Sequence, residues 1–94
     1  MYQNFLRHQE EHEVAFELGT ILASRLVYDH AIYYFNMAIN HARINVISII
    51  PSRLAEYYIH RASVFEALGL LENSQMDYIR VQQADPTIVQ RYIE

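Results

Sequence analysis

The sequence predicts an all-α fold, built of antiparallel helix hairpins stacked as a short α-solenoid. Three observations carry that expectation. Only 2 Gly and 2 Pro interrupt the 94 residues, so long elements are expected. Apolar residues recur at helical spacing in the segments between those breaks. The two halves of the chain also match one another as sequences at a constant offset of 43 residues.

Length and composition narrow the function classes. A chain of this size is one domain, with a modest core and little stability in reserve. Apolar residues are 52% of it, enough to fold. The formal charge is −4 without any basic run, so nucleic acid is not an expected partner. All seven basic residues are Arg, which excludes P-loop and Schiff-base lysines. Cysteine is absent, excluding disulfides, thiol catalysis and Cys-ligated zinc. No apolar run reaches membrane-spanning length, so no membrane insertion is expected. The acidic N-terminal stretch is unlike a secretory signal, leaving an intracellular, cytoplasmic location as the default expectation.

The first helix is expected over residues 2 to about 24. Val14, Leu18, Ile21 and Leu22 recur on one side, and Glu10, Glu11, Glu13 and Glu17 fall largely on others. Arg25 to Asp29 reads as a turn, with Asp29 capping the second helix. That helix carries Ala31, Ile32, Tyr34, Phe35, Ala38, Ile39 and Ala42 on a wide apolar face. The β-branched Val46, Ile47, Ile49 and Ile50 allow a short strand, but a lone strand has no partner here. An extension of the second helix, ending before Pro51, is preferred. The third helix starts at Pro51 or Ser52, runs to about Leu68 and ends at Gly69. The fourth starts at Glu72 and runs to Gln83 or Ala84. Asp85 then caps a short final helix with Pro86 in its first position, and Ile88, Val89 and Tyr92 on its apolar side.

At the 43-residue offset, Gly19 matches Ala62, Leu22 matches Phe65, Ala31 matches Ser74, Phe35 matches Tyr78 and Ala38 matches Val81. Small residues let the helices of a hairpin approach, and aromatic rings fill the space beside them. These positions resemble the tetratricopeptide repeat family. Residues 55–88 carry Tyr58, Ala62, Phe65, Leu68, Gly69, Tyr78 and the Asp85-Pro86 end over the family's length, with Ser74 where the family usually has Ala. Residues 12–45 carry Leu18-Gly19, Leu22, Tyr28, Ala31, Phe35 and Ala38, but Ala15 replaces the first aromatic and Arg43 the closing Pro. The resemblance implies one domain over 1–94. It comprises an N-terminal helical extension (1–11), repeat one (12–45), a helix end or linker (46–54), repeat two (55–88) and a C-terminal helix (89–94).

Chemistry-bearing patterns are sparse. His8 and His12 in His8-Gln-Glu-Glu-His12 share a helix face in the order used by inverted zinc proteases. A third ligand, a cleft and a larger scaffold are missing, so a solvated charged face is expected instead. His60 is either a groove contact or a histidine satisfied by Glu56 one turn earlier. No nucleophile pairs with it, and no paired carboxylates stand out. The expectation is therefore no catalytic residue, no metal, no cofactor and no small-molecule substrate. Eight Tyr include two adjacent pairs. Tyr34 and Tyr58 are expected to pack, with Tyr33 and Tyr57 at the surface, and Tyr57 reads equally well as an interface contact.

The resemblance implies that the first helices of the hairpins line a concave groove for another protein. The candidates are Glu13, Phe16 and Thr20 from repeat one, then Glu56, Ile59, His60, Ser63 and Glu66 from repeat two. Some family members clamp the acidic tail of heat-shock chaperones with Lys, Asn and Arg. Here Phe16, Thr20 and His60 hold such positions and Lys is absent, so a basic or apolar segment is the expected ligand. Two repeats also leave apolar edges that seek a partner, either another protein or a second copy. Val46, Ile49, Tyr57, Val89 and Tyr92 are the edge candidates, although packing of the 44–50 stretch back on the third helix is the preferred reading of that segment. A small scaffold or assembly subunit is the expected function. A peptide-binding adaptor is the alternative.

Overall fold

The computed structural model describes residues 2–44 and 51–88, with side chains from residue 11 onward. Four helices make up the described chain: α1 (Tyr2–Ser24), α2 (Tyr28–Ile44), α3 (Pro51–Ala67) and α4 (Leu71–Ala84). A helical turn follows at 86–88. The chain divides into two compact units, Met1–Ile49 and Ile50–Glu94. The first holds α1 packed on α2, the second α3 packed on α4.

One backbone device closes both hairpins. In the second, Gly69 sits at φ 78, the left-handed conformation that ends a helix with least strain in glycine. Its N–H donates to Glu66 O, and the N–H of Leu70 donates to Phe65 O. In the first, Leu26 takes the same conformation at φ 65. Its N–H donates to Ala23 O, and that of Val27 to Leu22 O. Every one of these residues matches its counterpart at the 43-residue offset, so the repeat extends to the hydrogen bonds of the turn. Leu26 is 70% exposed, so no packing of its side chain offsets the strain.

The helix starts depart slightly from expectation. Asp29 lies in the first turn of α2 instead of capping it. The residue before the helix is Val27, whose carbonyl accepts from Ala31 N. From the first turn, the Asp29 carboxylate still opposes the positive end of the helix dipole. α4 begins one residue early, behind Leu70, which makes no side-chain cap bond. Asp85 does cap the final turn: its Oδ1 accepts from the N–H and the hydroxyl of Thr87.

The first hairpin closes on small residues. α1 buries His12, Ala15 and Gly19, and α2 buries Ala31, Phe35, Ala38, Ile39 and Ala42. The Phe35 ring lies on the bare backbone of Gly19, where a Cβ would stand 2.6 Å from two ring carbons. Phe16 packs against the same ring at 5.8 Å between centroids. Of the apolar stripe read from sequence, Leu22 is half-buried and the other three are turned outward: Val14 is 53%, Leu18 40% and Ile21 49% exposed. Close approach of two backbones selects Ala and Gly for the seam and rotates the larger side chains away from it.

In the second hairpin α3 buries Ala55, Tyr57, Tyr58, Ala62 and Val64, and α4 buries Ser74, Asp77 and Val81. Tyr57 is fully buried, so it is neither a surface residue nor an edge contact as its sequence position suggested. Tyr33 is exposed and Tyr34 half-buried. Tyr78 is 41% exposed although its match, Phe35, is fully buried. Ala62 stands where the first hairpin has Gly19, a position at which a Cβ collides with the inward ring of Phe35.

Two stability measurements check this account. Leu26→Gly is expected to raise unfolding free energy by about 0.5–1 kcal/mol, because relief of the left-handed strain exceeds the added unfolded-chain entropy. Gly19→Ala is expected to cost about 1–3 kcal/mol through the collision with Phe35. Urea titration of the two variants beside the parent decides both, and equal midpoints for all three would refute the account.

Candidate functional site

The most polar interior feature is in the second hairpin. The Asp77 carboxylate is fully buried and faces α3 from α4. Arg61 grips it with two parallel bonds, Nε to Oδ2 at 2.7 Å and Nη2 to Oδ1 at 2.7 Å. Arg80, one turn along α4, adds Nη1 to Oδ1 at 2.8 Å. The guanidinium of Arg61 also lies 5.6 Å from the ring centroids of both Tyr58 and Phe65. Such a two-point, charge-assisted contact fixes how the helices are rotated about each other. Arg61, Phe65, Glu72, Asn73, Met76 and Arg80 line an open groove of about 400 Å³ beside it. Both arginines are committed to Asp77, so the cluster serves first as a pin between helices.

That pin was not anticipated from sequence. A signal existed, since Asp77 falls between Ser74 and Val81 on the stripe that packs. An acid on such a stripe needs a cation across the seam.

The anticipated groove residues divide between the two units. On α1, Glu13 is exposed, Phe16 is packed against Phe35, and the Thr20 hydroxyl donates to Glu17 O. On α3, Glu56 pairs with Arg53 at 3.0 Å and Ile59 is half-buried. His60 is exposed, with Nδ1 2.9 Å from the carbonyl oxygen of Glu56, so the backbone of that residue is its partner. Ser63 and Glu66 are exposed, and Glu66 accepts from the Tyr78 hydroxyl. That bond, with partial burial and the charge of Glu66 adding, raises the Tyr78 pKa above the ordinary tyrosine value. Val46, Ile49, Val89 and Tyr92 lie outside the described residues, as do the expected extension of α2 and the side chain of His8. His12 is buried. Among the described residues no group of three or more His, Asp or Glu could hold a metal, and no helix is long and apolar enough to cross a membrane.

Comparison of the hairpins identifies the surface that sequence periodicity had read as the apolar side of the first helix. Val14 and Ile21 match Tyr57 and Val64, both buried, and Leu18 matches the half-buried Arg61. The same face of the first helix is thus covered in one hairpin and open in the other. On α4 the contrast reverses in chemistry. Ile32 and Ile39 of α2, half-buried and buried, are matched by the exposed Gln75 and Gln82.

Asp77→Ala is expected to cost about 3 kcal/mol, the lower end of the range for breaking a buried ion pair, since Arg80 keeps part of its hydration. Arg80→Ala leaves the two bonds from Arg61 intact and should cost less than about 1 kcal/mol. Thermal unfolding of the two variants measures the difference, and an equal loss for both contradicts a pin centred on Arg61 and Asp77.

Comparisons of this chain with protein families, with curated proteins and with solved structures find no match.

Proposed function

We propose that this chain is a non-catalytic protein–protein interaction module of the helical-repeat type, acting as a small scaffold or assembly subunit. The carrying observation is the open apolar face of α1, at Val14, Leu18 and Ile21, whose counterpart on α3 is covered. Exposed apolar side chains in a row favour a partner surface, since burying them removes apolar area from water. The duplicated turn supports a repeat architecture, and so does the shared burial of Gly19 with Ala62, Ala31 with Ser74 and Ala38 with Val81. The resemblance to tetratricopeptide repeats is part of the same proposal, with the outward Tyr78 as its clearest departure. The partner is another protein or a second copy, and no nucleic acid, cofactor or small-molecule substrate enters the proposal.

A second reading, a peptide-binding adaptor, draws on His60, Ser63 and Glu66, which are exposed along one face of α3. Affinity recovery of the tagged chain from its native source separates the two. The scaffold is expected to bring down one or a few proteins in stoichiometric amount. Leu18→Glu, or paired changes at Val46 and Ile49, should abolish that recovery, and Glu56→Lys with Glu66→Lys should leave it intact. Many substoichiometric partners, lost on the double charge reversal and retained otherwise, would sink the scaffold in favour of the adaptor.

A further inference from the structure

We infer that the open face of α1 pairs with the same face of a second copy, as an antiparallel helix pair centred on Leu18. The inference deepens the interaction-module reading and rests on it. The face is a regular seam. Glu11, Val14, Leu18 and Ile21 of α1 and Arg25, the first residue of the turn, follow at alternating steps of three and four residues, the spacing that holds one helix along another; the N–H of Arg25 still donates to Ile21 O. Its middle is apolar and open to solvent, and its ends carry opposite charges.

Those ends select the orientation. A parallel pair would set Glu11 against Glu11 and Arg25 against Arg25. Reversing one copy about Leu18 sets each Glu11 beside the partner's Arg25, and Val14 beside the partner's Ile21. Arg25 is exposed. Glu11 holds His41 at 3.3 Å within its own hairpin, so the partner's Arg25 would add a second contact to a carboxylate already engaged. The arrangement is two-fold symmetric, so both charge pairs and both apolar pairs form at once. The same axis brings the two Glu17 side chains towards each other, which weakens the pair without reversing the preference.

A second copy could also be added head to tail, with α1 of one chain on α4 of the next. The exposed Gln75 and Gln82 argue against it, because they replace the half-buried Ile32 and the buried Ile39 of α2 at the matching positions. An open chain of copies would set Val14, Leu18 and Ile21 against amides. Self-pairing through α1 sets them against themselves, and the assembly closes at two.

Sedimentation of the full chain over a concentration series tests this, with circular dichroism confirming that each variant folds. The parent is expected to pass from monomer to dimer. Leu18→Glu should weaken the dimer by about tenfold or more, since it faces two carboxylates at the axis. Glu11→Arg and Arg25→Glu should each weaken self-association similarly, and an equimolar mixture of the two variants should dimerise again. In a parallel pair neither single change would weaken the contact, because like charges already face each other there, so the loss on each change marks the antiparallel seam. A chain that stays monomeric at every concentration overturns the inference. So does a dimer that survives Leu18→Glu but is lost on Ile79→Glu, which would place the contact on α4. In either case the recovery of a stoichiometric foreign partner would leave the broader interaction reading standing.

Discussion

Each hairpin depends on a single residue held at positive φ. Leu26 and Gly69 reverse the chain within three residues, and the hydrogen bonds around them fix the rotation at which each second helix leaves. That rotation decides which faces meet. A turn this short holds the helix axes close together, so the seam accepts only small side chains near the closed end. Gly19 and Ala62 meet that demand, as do Ala31 and Ser74, which are fully or almost fully buried. Glycine suits the left-handed residue, and Leu26 in the same place shows that the surrounding bonds outweigh about 1–2 kcal/mol of strain.

From that shared frame the hairpins diverge through one methyl group. Gly19 leaves its backbone bare and Phe35 fills the space, so the first seam is aromatic on backbone. Ala62 carries the methyl group, the matching Tyr78 turns outward to Glu66, and the inward position passes to Asp77. A buried carboxylate cannot stand alone, and Arg61 supplies the opposite charge from α3. The second seam is therefore closed by a polar pin. A hydrophobic ring adapts to small shifts of its surroundings. A two-point guanidinium–carboxylate contact tolerates few, which gives the second hairpin a more narrowly specified geometry.

Much of this was legible in the sequence, because glycine and proline punctuate the chain. Gly69, Pro51 and Asp85-Pro86 fall where the helix ends are found, and the offset of 43 residues paired the small positions correctly. What was misread has a common cause. Periodicity ranks residues by hydrophobicity, so Val14, Leu18 and Ile21 were read as the apolar side of the first helix and Ala15 was passed over. Close packing ranks them by size. Leu26 carries no local mark of a left-handed residue, and only its pairing with Gly69 betrays it. Asp77 and Tyr57 were missed because charge and a hydroxyl suggest solvent, although an arginine across the seam or a second buried face of α3 reverses that inference. The surface residues of the anticipated groove were identified by analogy alone, and nothing in their spacing distinguishes a binding face from a solvated one.

An internal repeat supplies its own control. A solvent-exposed apolar residue means little by itself, since much of any protein surface is apolar. It means more when the same position in a sister hairpin is covered. The difference does not come from the turn, whose hydrogen bonds match. α1 presents Val14, Leu18 and Ile21 to solvent, and α3 buries Tyr57 and Val64. The polar replacement of Ile32 and Ile39 by Gln75 and Gln82 is the opposite adjustment, made where the second helix of the repeat meets water. That asymmetry is the observation on which the proposed interaction role rests.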